Sequence, residues 1–354
     1  MKTVFRKRGP LTASLFALFA LAACANDEPL DDDTENGVES TDEAIVTVPH
    51  TVWGSAANLQ NGGFEALAAR VGMPPIRRYY DWKAVPKDAQ GRATVRVLLN
   101  LERTLPQAEM KAVIDKLKPG SYVTVQHEPI GNIKAGEFTL AQYVGWMTNL
   151  VKATRDSNAS RTDGAKILAG PVLEGWTVMT EPKWIKDIYN PTMLGLMNAC
   201  GCGGAFFDRY NGKTPKQNLT PAQAFDPLAD IAADLKLPWG IGETGIPIEY
   251  DRGTGTTGLG LTPGNYTDAE LASWWSSAAS RVDGYTGRTA AGNTRRRPLF
   301  MLYWWSDNRF VKPNEPGEWN NYRFTPTLET SYTTPASAWP KTTQVFRGLF
   351  AGAS

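Results

Sequence analysis

The sequence of 354 residues contains few of the residues that build metal sites and disulfide frameworks. It has two histidines and three cysteines, which leaves little material for a site built from histidine or thiolate ligands. Its formal net charge of +1 lacks the basic excess of proteins that bind nucleic acids. Its one apolar run lies near the N-terminus and is too short to cross a bilayer, which excludes a multi-pass membrane protein.

What the chain has in abundance is aromatic residues, 12 tryptophans, 12 tyrosines and 13 phenylalanines. Tryptophan can be ordinary core, but such an excess also suits stacking against sugar rings. The remaining composition, 42% hydrophobic and 21% charged, is that of a globular protein, so wholesale disorder and fibrous repeats are excluded.

The N-terminus has the layout of a secretory signal. Basic residues between positions 2 and 8 precede the apolar stretch 11–20 and then Leu-Ala-Ala-Cys at 21–24. The end of this segment resembles a bacterial lipobox, which implies that residues 1–23 are a lipoprotein signal peptide and that Cys24 is lipidated. The protein is then expected outside the cytoplasm, in a bacterial cell envelope, held to a membrane by its lipid. The alternative is an ordinary signal peptide with a chance cysteine.

An acidic linker follows Cys24. Residues 25–44 include nine acidic side chains and no basic ones, so this segment cannot bury enough apolar surface to fold and is kept extended by charge repulsion. We therefore divide the chain into a signal peptide (1–23), a lipidated cysteine with a disordered acidic linker (24–45) and one globular domain (46–354). Within that domain we expect Cys200 and Cys202 to be small buried residues rather than a redox pair.

The globular part alternates short apolar segments with amphipathic ones. Helical periodicity is clear over 64–71, 110–117 and 143–150, and capping boxes begin at Thr220 and Thr267. Eight strands alternating with helices over about 300 residues are typical of a single (β/α)₈ barrel. A doubly wound open sheet is the alternative, but no glycine-rich phosphate loop follows any strand. The predicted strands span 51–55, 76–80, 94–101, 122–127, 167–173, 204–207, 239–242 and 299–304.

Two of the predicted strands end in glutamates. The fourth ends at 126–129 (Gln-His-Glu-Pro) and the seventh at 242–245 (Gly-Glu-Thr-Gly). The carboxyl ends of barrel strands carry the functional residues, and strands four and seven face each other across the mouth. Two carboxylates so arranged suit cleavage of a glycosidic bond, in which one carboxylic acid protonates the leaving oxygen and one carboxylate attacks or stabilises the anomeric carbon.

With these motifs the chain resembles the large clan of retaining glycoside hydrolases built on (β/α)₈ barrels. His127 stands before Glu128, where most families of the clan have asparagine, and this is similar to glycoside hydrolase family 26, largely β-mannanases with some β-glucanases and xylanases. The segments 206–211 (Phe-Phe-Asp-Arg-Tyr-Asn) and 303–307 (Tyr-Trp-Trp-Ser-Asp) look like the strand-six segment of that family and the strand-eight segment of the clan. The chain departs from the family at 129–132 (Pro-Ile-Gly-Asn).

The resemblance implies a role for each matching residue. Glu128 would be the general acid/base and Glu243 the nucleophile. Tyr210 and an arginine of strand two, Arg78 in preference to Arg77, would hold Glu243 ionised and oriented. The alternative for Glu128 is a structural salt bridge with one of these arginines. With a different strand register, the partner carboxylate would come from other acidic residues near strand ends, namely Asp81, Glu102, Glu174 and Asp307.

Contacts to the sugar are implied for His127 and Asp208. By the clan's pattern Trp305 forms the platform under the sugar, and Trp304 points the other way because strand side chains alternate. Trp176, just beyond strand five, is a candidate for stacking on a flanking sugar. The alternatives are a hydrogen-bonded core role for His127 and rim packing for Trp176. Two further candidates for stacking are Trp53 and Trp82.

The sequence thus predicts a retaining glycoside hydrolase that cleaves a β-linked polysaccharide, with β-mannan or β-glucan as first candidates. We expect a monomer with no cofactor and no metal. A non-catalytic carbohydrate-binding surface lipoprotein on the same barrel is the alternative, and the presence of both glutamates favours the enzyme. A metal-dependent hydrolase would need clustered histidine and aspartate ligands that the chain lacks. A structural surface protein would require the polar groups at the strand ends to be scattered.

Overall fold

A computed structural model of the chain describes most of the predicted globular domain. Several predicted features lie outside the described residues: the signal peptide, the lipidation site Cys24, the acidic linker, most of the helix predicted over 64–71, and Asp307. The described residues are 50–57, 71–162, 166–211, 219–246, 249–250, 262–263, 266–305, 320–321 and 339–352.

A parallel sheet curled into a barrel forms the centre of the fold, as predicted. Its strands lie in the order β5-β4-β3-β2-β1-β11-β8-β7-β6. A small antiparallel sheet has the order β10-β9-β12. The strands are β1 Val52–Ala57, β2 Ile76–Tyr79, β3 Arg96–Leu101, β4 Tyr122–Val125, β5 Leu168–Ala169, β6 Val172–Glu174, β7 Ala205–Tyr210, β8 Trp239–Gly245, β9 Glu249–Tyr250, β10 Thr262–Pro263, β11 Phe300–Trp305 and β12 Asn320–Asn321.

The ring closes at its fifth strand, which is split in two. The prediction of one continuous strand over 167–173 is wrong, because Pro171 has no N–H to donate to a neighbour. Around the break the Gly170 amide still donates to Val123 of β4 (3.0 Å), and the Phe206 amide of β7 donates to the Pro171 carbonyl (3.1 Å). We therefore take β5 and β6 as two halves of the fifth barrel strand, with β7, β8 and β11 as the sixth, seventh and eighth.

Helices cover the outside of the barrel, and their starts follow the local sequence. The predicted capping boxes at Thr220 and Thr267 are present, and a third begins at Thr139. Among the described residues, none of these helices combines the length and apolar character needed to span a bilayer. The helices are α1 Gln107–Ile114, α2 Pro129–Lys134, α3 Leu140–Ala159, α4 Gly175–Thr180, α5 Lys183–Ile188, α6 Pro191–Cys200, α7 Pro221–Asp234, α8 Asp268–Asp283 and α9 Pro340–Ala351.

Aromatic rings fill the interior of the barrel below its mouth. The ring of Tyr122 lies 4.3 Å from that of Phe300 and 5.7 Å from that of Phe206, measured between centroids. Gly240 makes room for this cluster, since a Cβ atom there would stand 2.5 Å from the ring of Phe300. Outward-facing residues of the same strands pack against the helices in a larger apolar core. The site described below therefore stands on a packed floor rather than over a pore.

A disulfide joins Cys200 to Cys202 at the end of α6. The expectation of two small reduced cysteines is therefore wrong on this point, although Cys202 is fully buried as expected. The residue between them, Gly201, has φ +55°, a left-handed conformation that glycine adopts without steric cost. This turn brings the two Cα atoms to 5.1 Å, within the range that a disulfide spans.

Candidate functional site

The predicted fourth and seventh strands bring their glutamates to the same mouth of the barrel. Glu243 lies within β8, whereas β4 ends at Val125, two residues earlier than the sequence predicted, and Glu128 follows in the connection to α2. Glu128 has φ +48°, an uncommon conformation for a residue with a side chain. Its amide donates to the carbonyl of Val172 in β6 (3.1 Å), which holds this turn against the fifth strand.

Hydrogen bonds reach both carboxylate oxygens of Glu243. The hydroxyl of Tyr80 donates to Oε1 and the hydroxyl of Tyr210 to Oε2. Nη1 of Arg78 lies 3.2 Å from Oε1, and only 4% of Glu243 is exposed. A carboxyl group held from both sides beside a permanent positive charge has a defined orientation.

Arg78 is the strand-two arginine that points into the site. It is 1% exposed, and its Nη1 also lies 3.3 Å from Oδ1 of Asp208. The neighbouring residue Arg77 has its side chain on the opposite face of β2, as alternation along a strand requires. A guanidinium between two buried carboxylates offsets the cost of taking their charges out of water.

Asp208, which is buried, and His127, which is partly exposed, form a second pair beside Glu243. Nε2 of His127 hydrogen-bonds to Oδ2 of Asp208 and lies 3.7 Å from Oε1 of Glu243. Burial raises the pKa of Asp208 to about 7, against the opposing effect of Arg78. Burial, with a further contribution from Arg78, lowers the pKa of His127 to about 3. The environment thus favours the neutral form of each residue, and one proton on the carboxyl group serves their shared hydrogen bond.

This pairing predicts opposite pH dependences for two single variants. Between the ordinary pKa of 3.8 and about 7, folded Asp208 holds a proton that the unfolded chain has lost, so its contribution to stability falls as pH rises. Between about 3 and the ordinary 6.5, unfolded His127 holds the extra proton, so its contribution rises with pH. In the unmodified protein the two effects offset each other over most of this range.

Relative to the parent, we expect the stability of Asp208→Asn to change more positively with rising pH and that of His127→Gln more negatively, by up to about 1 kcal/mol per pH unit, because other groups with shifted pKa values, such as Glu128, are common to all three proteins. The measurement is urea unfolding of both variants and the parent between about pH 4 and pH 7. If the stability of all three proteins changed with pH in the same way, the description of a proton shared by His127 and Asp208 would be contradicted.

Glu128 lies in a different environment from Glu243. Burial raises its pKa well above the ordinary value, and the negative charges of Asp208 and Glu243 raise it further. A carboxyl group with a raised pKa keeps its proton near neutral pH and can donate it. The two glutamates at the mouth thus have different surroundings, hydrogen-bond donors and an arginine around Glu243 and a buried environment that raises the pKa of Glu128.

The positions of two residues of the site, Tyr80 and Glu174, were not predicted from the sequence. Tyr80 was not singled out, although it lies two residues after Arg78 and alternation places both on one face of β2. Glu174 was named only as a fallback carboxylate. Its Oε1 accepts from the amide of Gly131 in α2 (2.9 Å), which ties the fifth strand to the helix that begins after Glu128. Because this bond joins different elements, no local pattern would have revealed it.

The predicted aromatic residues separate into exposed and buried ones. Trp176 is 61% exposed at the start of α4, with the guanidinium of Arg209 5.2 Å from its ring centre. Trp53 is 2% exposed and packs edge-on against Trp275, so it is core and not a surface for stacking. Trp305 is the last residue of β11, but its side chain lies outside what the structure describes.

Within the part of the chain that the structure describes, one group of ligand-type atoms is close enough to hold a metal ion. A nitrogen of His127 and carboxylate oxygens of Asp208 and Glu243 lie within 4.8 Å of one another. The guanidinium of Arg78 already supplies a positive charge to both carboxylates, at 3.3 and 3.2 Å. A divalent cation at this position would have to tolerate that neighbouring charge, so we assign no metal to the group.

Comparisons with known proteins give structural likeness without sequence likeness. No family model matches the sequence, and no curated protein matches it. A GH128 (subgroup I) endo-β-1,3-glucanase from Amycolatopsis mediterranei in complex with laminaripentaose is similar with TM-score 0.43 and 13% identity, covering 84% of this chain and 99% of that chain.

Two further solved structures show likeness of the same order. For fungal β-1,4-galactanase the TM-score is 0.48 and the identity 12%, over 83% of this chain and 93% of that chain. For a glucosidase from Croceicoccus marinus the TM-score is 0.44 and the identity 10%, over 85% of this chain and 67% of that chain. At these identities the function must be argued from the site itself.

Proposed function

We propose that the protein is a retaining glycoside hydrolase that cleaves a β-linked polysaccharide. The observation that carries the proposal is the difference between the two glutamates at the barrel mouth. Glu243 is held by two tyrosine hydroxyls and an arginine, whereas burial raises the pKa of Glu128. Pairs of carboxyl groups whose environments differ in this way divide the roles of nucleophile and acid.

In the first step Glu243 attacks the anomeric carbon while Glu128 gives its proton to the departing glycosidic oxygen. The carbon–oxygen bond of the substrate breaks as a covalent bond to the Glu243 carboxylate forms. In the second step Glu128, now ionised, takes a proton from water, whose oxygen attacks the same carbon and releases Glu243. Two displacements restore the original configuration, and both glutamates regain their starting protonation states.

The neighbouring residues would orient this chemistry. Tyr80 and Tyr210 would direct the lone pairs of Glu243, and Arg78 would balance its charge before the attack and after release. His127 lies close enough to Glu243 to contact a sugar hydroxyl at the cleaved unit. Trp176 offers an exposed ring for a flanking sugar, and the guanidinium of Arg209 near that ring supports its position.

Beyond the reaction class, the proposal rests on sequence motifs. The resemblance to family 26 makes β-mannan and β-glucan the first candidates. The signal segment and Cys24 favour a lipid-anchored protein outside the cytoplasm in a bacterial cell envelope, and the Cys200–Cys202 disulfide supports an oxidising compartment. A carbohydrate-binding lipoprotein without catalysis remains the second candidate, because an exposed tryptophan beside the site suits binding as well.

The test is release of reducing sugars by the purified chain from soluble β-mannans, β-glucans and xylans. Release from one polymer would support the hydrolase and identify its substrate. Absence of release, together with retardation of the protein in a gel that contains one of these polymers, would favour the binding protein. Absence of both would contradict the two candidates alike.

A further inference from the structure

A cavity adjoins the proposed catalytic centre and has no role in the mechanism above. It measures about 520 Å³ and lies at the carboxyl ends of β2, β3 and β4. Tyr80 is part of its wall and at the same time donates to Glu243, and Gln126 in its wall stands two residues before Glu128. The cavity is therefore next to the site where the glycosidic bond would be cleaved and shares Tyr80 with it, and its volume is that of a small-ligand pocket.

The wall of this cavity contains a buried acceptor without a partner. Oδ1 of Asn100 is shielded from solvent and accepts no hydrogen bond within the described part of the chain. By alternation along β3 its side chain shares the inner face with Leu98, which lies in the barrel interior. A buried carbonyl oxygen in this state is costly unless a bound group donates to it. A sugar hydroxyl is such a donor.

A second polar residue of the wall is held in an uncommon backbone conformation. Gln126 has φ +48°, and its Oε1 accepts from Nη1 of Arg103 (3.0 Å). Because Oε1 of Gln126 is bound to Arg103, the amide nitrogen of Gln126 is the group that can donate a hydrogen bond to a ligand. An acceptor on Asn100 and a donor on Gln126 match the mixed donor and acceptor character of a hydroxyl-bearing ligand.

The charges around the cavity argue against a charged ligand. Asp81 and Glu102 are balanced by Lys83 and Arg103. The guanidinium of Arg103 is already engaged, because it lies 5.1 and 5.2 Å from the ring centres of Phe138 and Trp146 and donates to Gln126. The lining thus offers no free bidentate arginine of the kind that recognises a carboxylate or sulfate group.

Aromatic surface completes the lining. Tyr80 is 40% exposed although its hydroxyl is bound to Glu243, so its ring is accessible while its polar end is fixed. Trp82 is half-buried in the same wall, with the ammonium group of Lys87 4.5 Å from its ring centre. Rings fixed by polar contacts suit the apolar face of a pyranose.

We propose that this cavity binds a neutral hexopyranosyl unit of the same polysaccharide that is cleaved between Glu128 and Glu243. The inference rests on the proposed function and narrows it to uncharged glycans long enough to reach beyond the cleaved bond. Asn100 would accept from one hydroxyl of that unit, and Gln126 would donate to another.

The experiment compares Asn100→Ala with Asn198→Ala, the same replacement at an exposed position of α6. Binding of neutral β-linked gluco- and manno-oligosaccharides of increasing length is measured by calorimetry, on the parent chain and both variants with Glu243→Gln added to prevent turnover. A matched series that carries uronic acid units tests the charge argument. Thermal unfolding of each protein without ligand is recorded in parallel.

We expect Asn100→Ala to weaken binding of the longer neutral oligosaccharides about tenfold. Binding of the shortest ones, which do not reach the cavity, should stay unchanged, and Asn198→Ala should match the parent throughout. The melting temperature of Asn100→Ala should not fall, since the lost acceptor has no partner in the free protein. Lower stability with equal loss of affinity at every length would instead assign Asn100 a structural role and overturn the proposal.

Two other outcomes would also overturn it: tighter binding of the uronic acid series, or no binding of any neutral oligosaccharide. Failure of the proposed hydrolase function would give a result that differs from failure of the cavity proposal. In that case the parent binds neutral oligosaccharides with the expected length dependence but releases no reducing sugar, and the cavity would then belong to a binding protein.

Discussion

Replacing Glu243 with alanine is expected to reduce polysaccharide hydrolysis by about 10⁴-fold or more, since removal of a nucleophile abolishes the covalent step. Added azide should restore turnover by attacking the anomeric carbon from the emptied side, with the glycosyl azide product in the inverted, α configuration. Hydrolysis is measured by reducing-sugar release, and azide rescue, whose product has no free reducing end, by chromatography of the products and NMR assignment of the glycosyl azide.

The matched control for this variant is Glu109→Ala, which removes a carboxylate from an exposed position of α1 and should keep full activity. Activity that survives in Glu243→Ala would refute the assignment of the nucleophile. Loss of activity with loss of folding is distinguished by circular dichroism, and Glu243→Gln, which preserves the shape of the side chain and one of its two acceptor oxygens, then provides the decisive comparison.

Replacing Glu128 with alanine is expected to lower activity by about 10²- to 10⁴-fold on natural polysaccharides, the usual contribution of a general acid. An aryl glycoside with a strongly acidic leaving group needs no proton, so bond cleavage should be nearly unaffected and the glycosyl-enzyme should accumulate. Azide would then release the product with retained, β configuration. The measurement is a comparison of pre-steady-state bursts and steady-state rates for aryl glycosides of differing leaving-group pKa.

The two variants together provide a strict test, because azide should give the α-glycosyl azide with Glu243→Ala and the β-glycosyl azide with Glu128→Ala. Equal losses on all leaving groups in Glu128→Ala would mean that this residue is structural. Glu174 would then be the first alternative, as it ends β6 and contacts the start of α2 through Gly131.

The barrel could be predicted because burial imposes a pattern along the chain. Strand residues alternate between a packed interior and a packed helix layer, and threonine caps mark helix starts such as Thr220 and Thr267. The break in the fifth strand was missed because Gly170 and Pro171 lie inside an otherwise apolar run. Pro171 removes a donor from the strand, and the glycine before it meets a spatial constraint, since a Cβ atom at Gly170 would stand 2.2 Å from the carbonyl oxygen of Gly204.

Residues of the site could be predicted where their place at the end of a strand locates them. Contacts between side chains of different barrel strands could not be predicted in this way. Glu243 could be located from its place at a strand end, whereas the preference for Arg78 over Arg77 came from the family resemblance. The proton shared by His127 and Asp208 depends on closure of the barrel, which brings residues 81 positions apart into contact. The cysteine pair was misjudged because spacing alone does not reveal the turn at Gly201.

The left-handed backbone at Glu128 affects which residue this position would accumulate in evolution if the proposed activity were no longer selected. The conformation costs a residue with a side chain about 1 kcal/mol, and glycine or asparagine would adopt it more readily. Burial of the carboxyl group adds to that cost. Selection for stability alone would therefore replace this glutamate early, while the aromatic surfaces and the floor of the barrel remained. Selection for the proposed chemistry, in contrast, would keep a glutamate at this position despite its cost in stability.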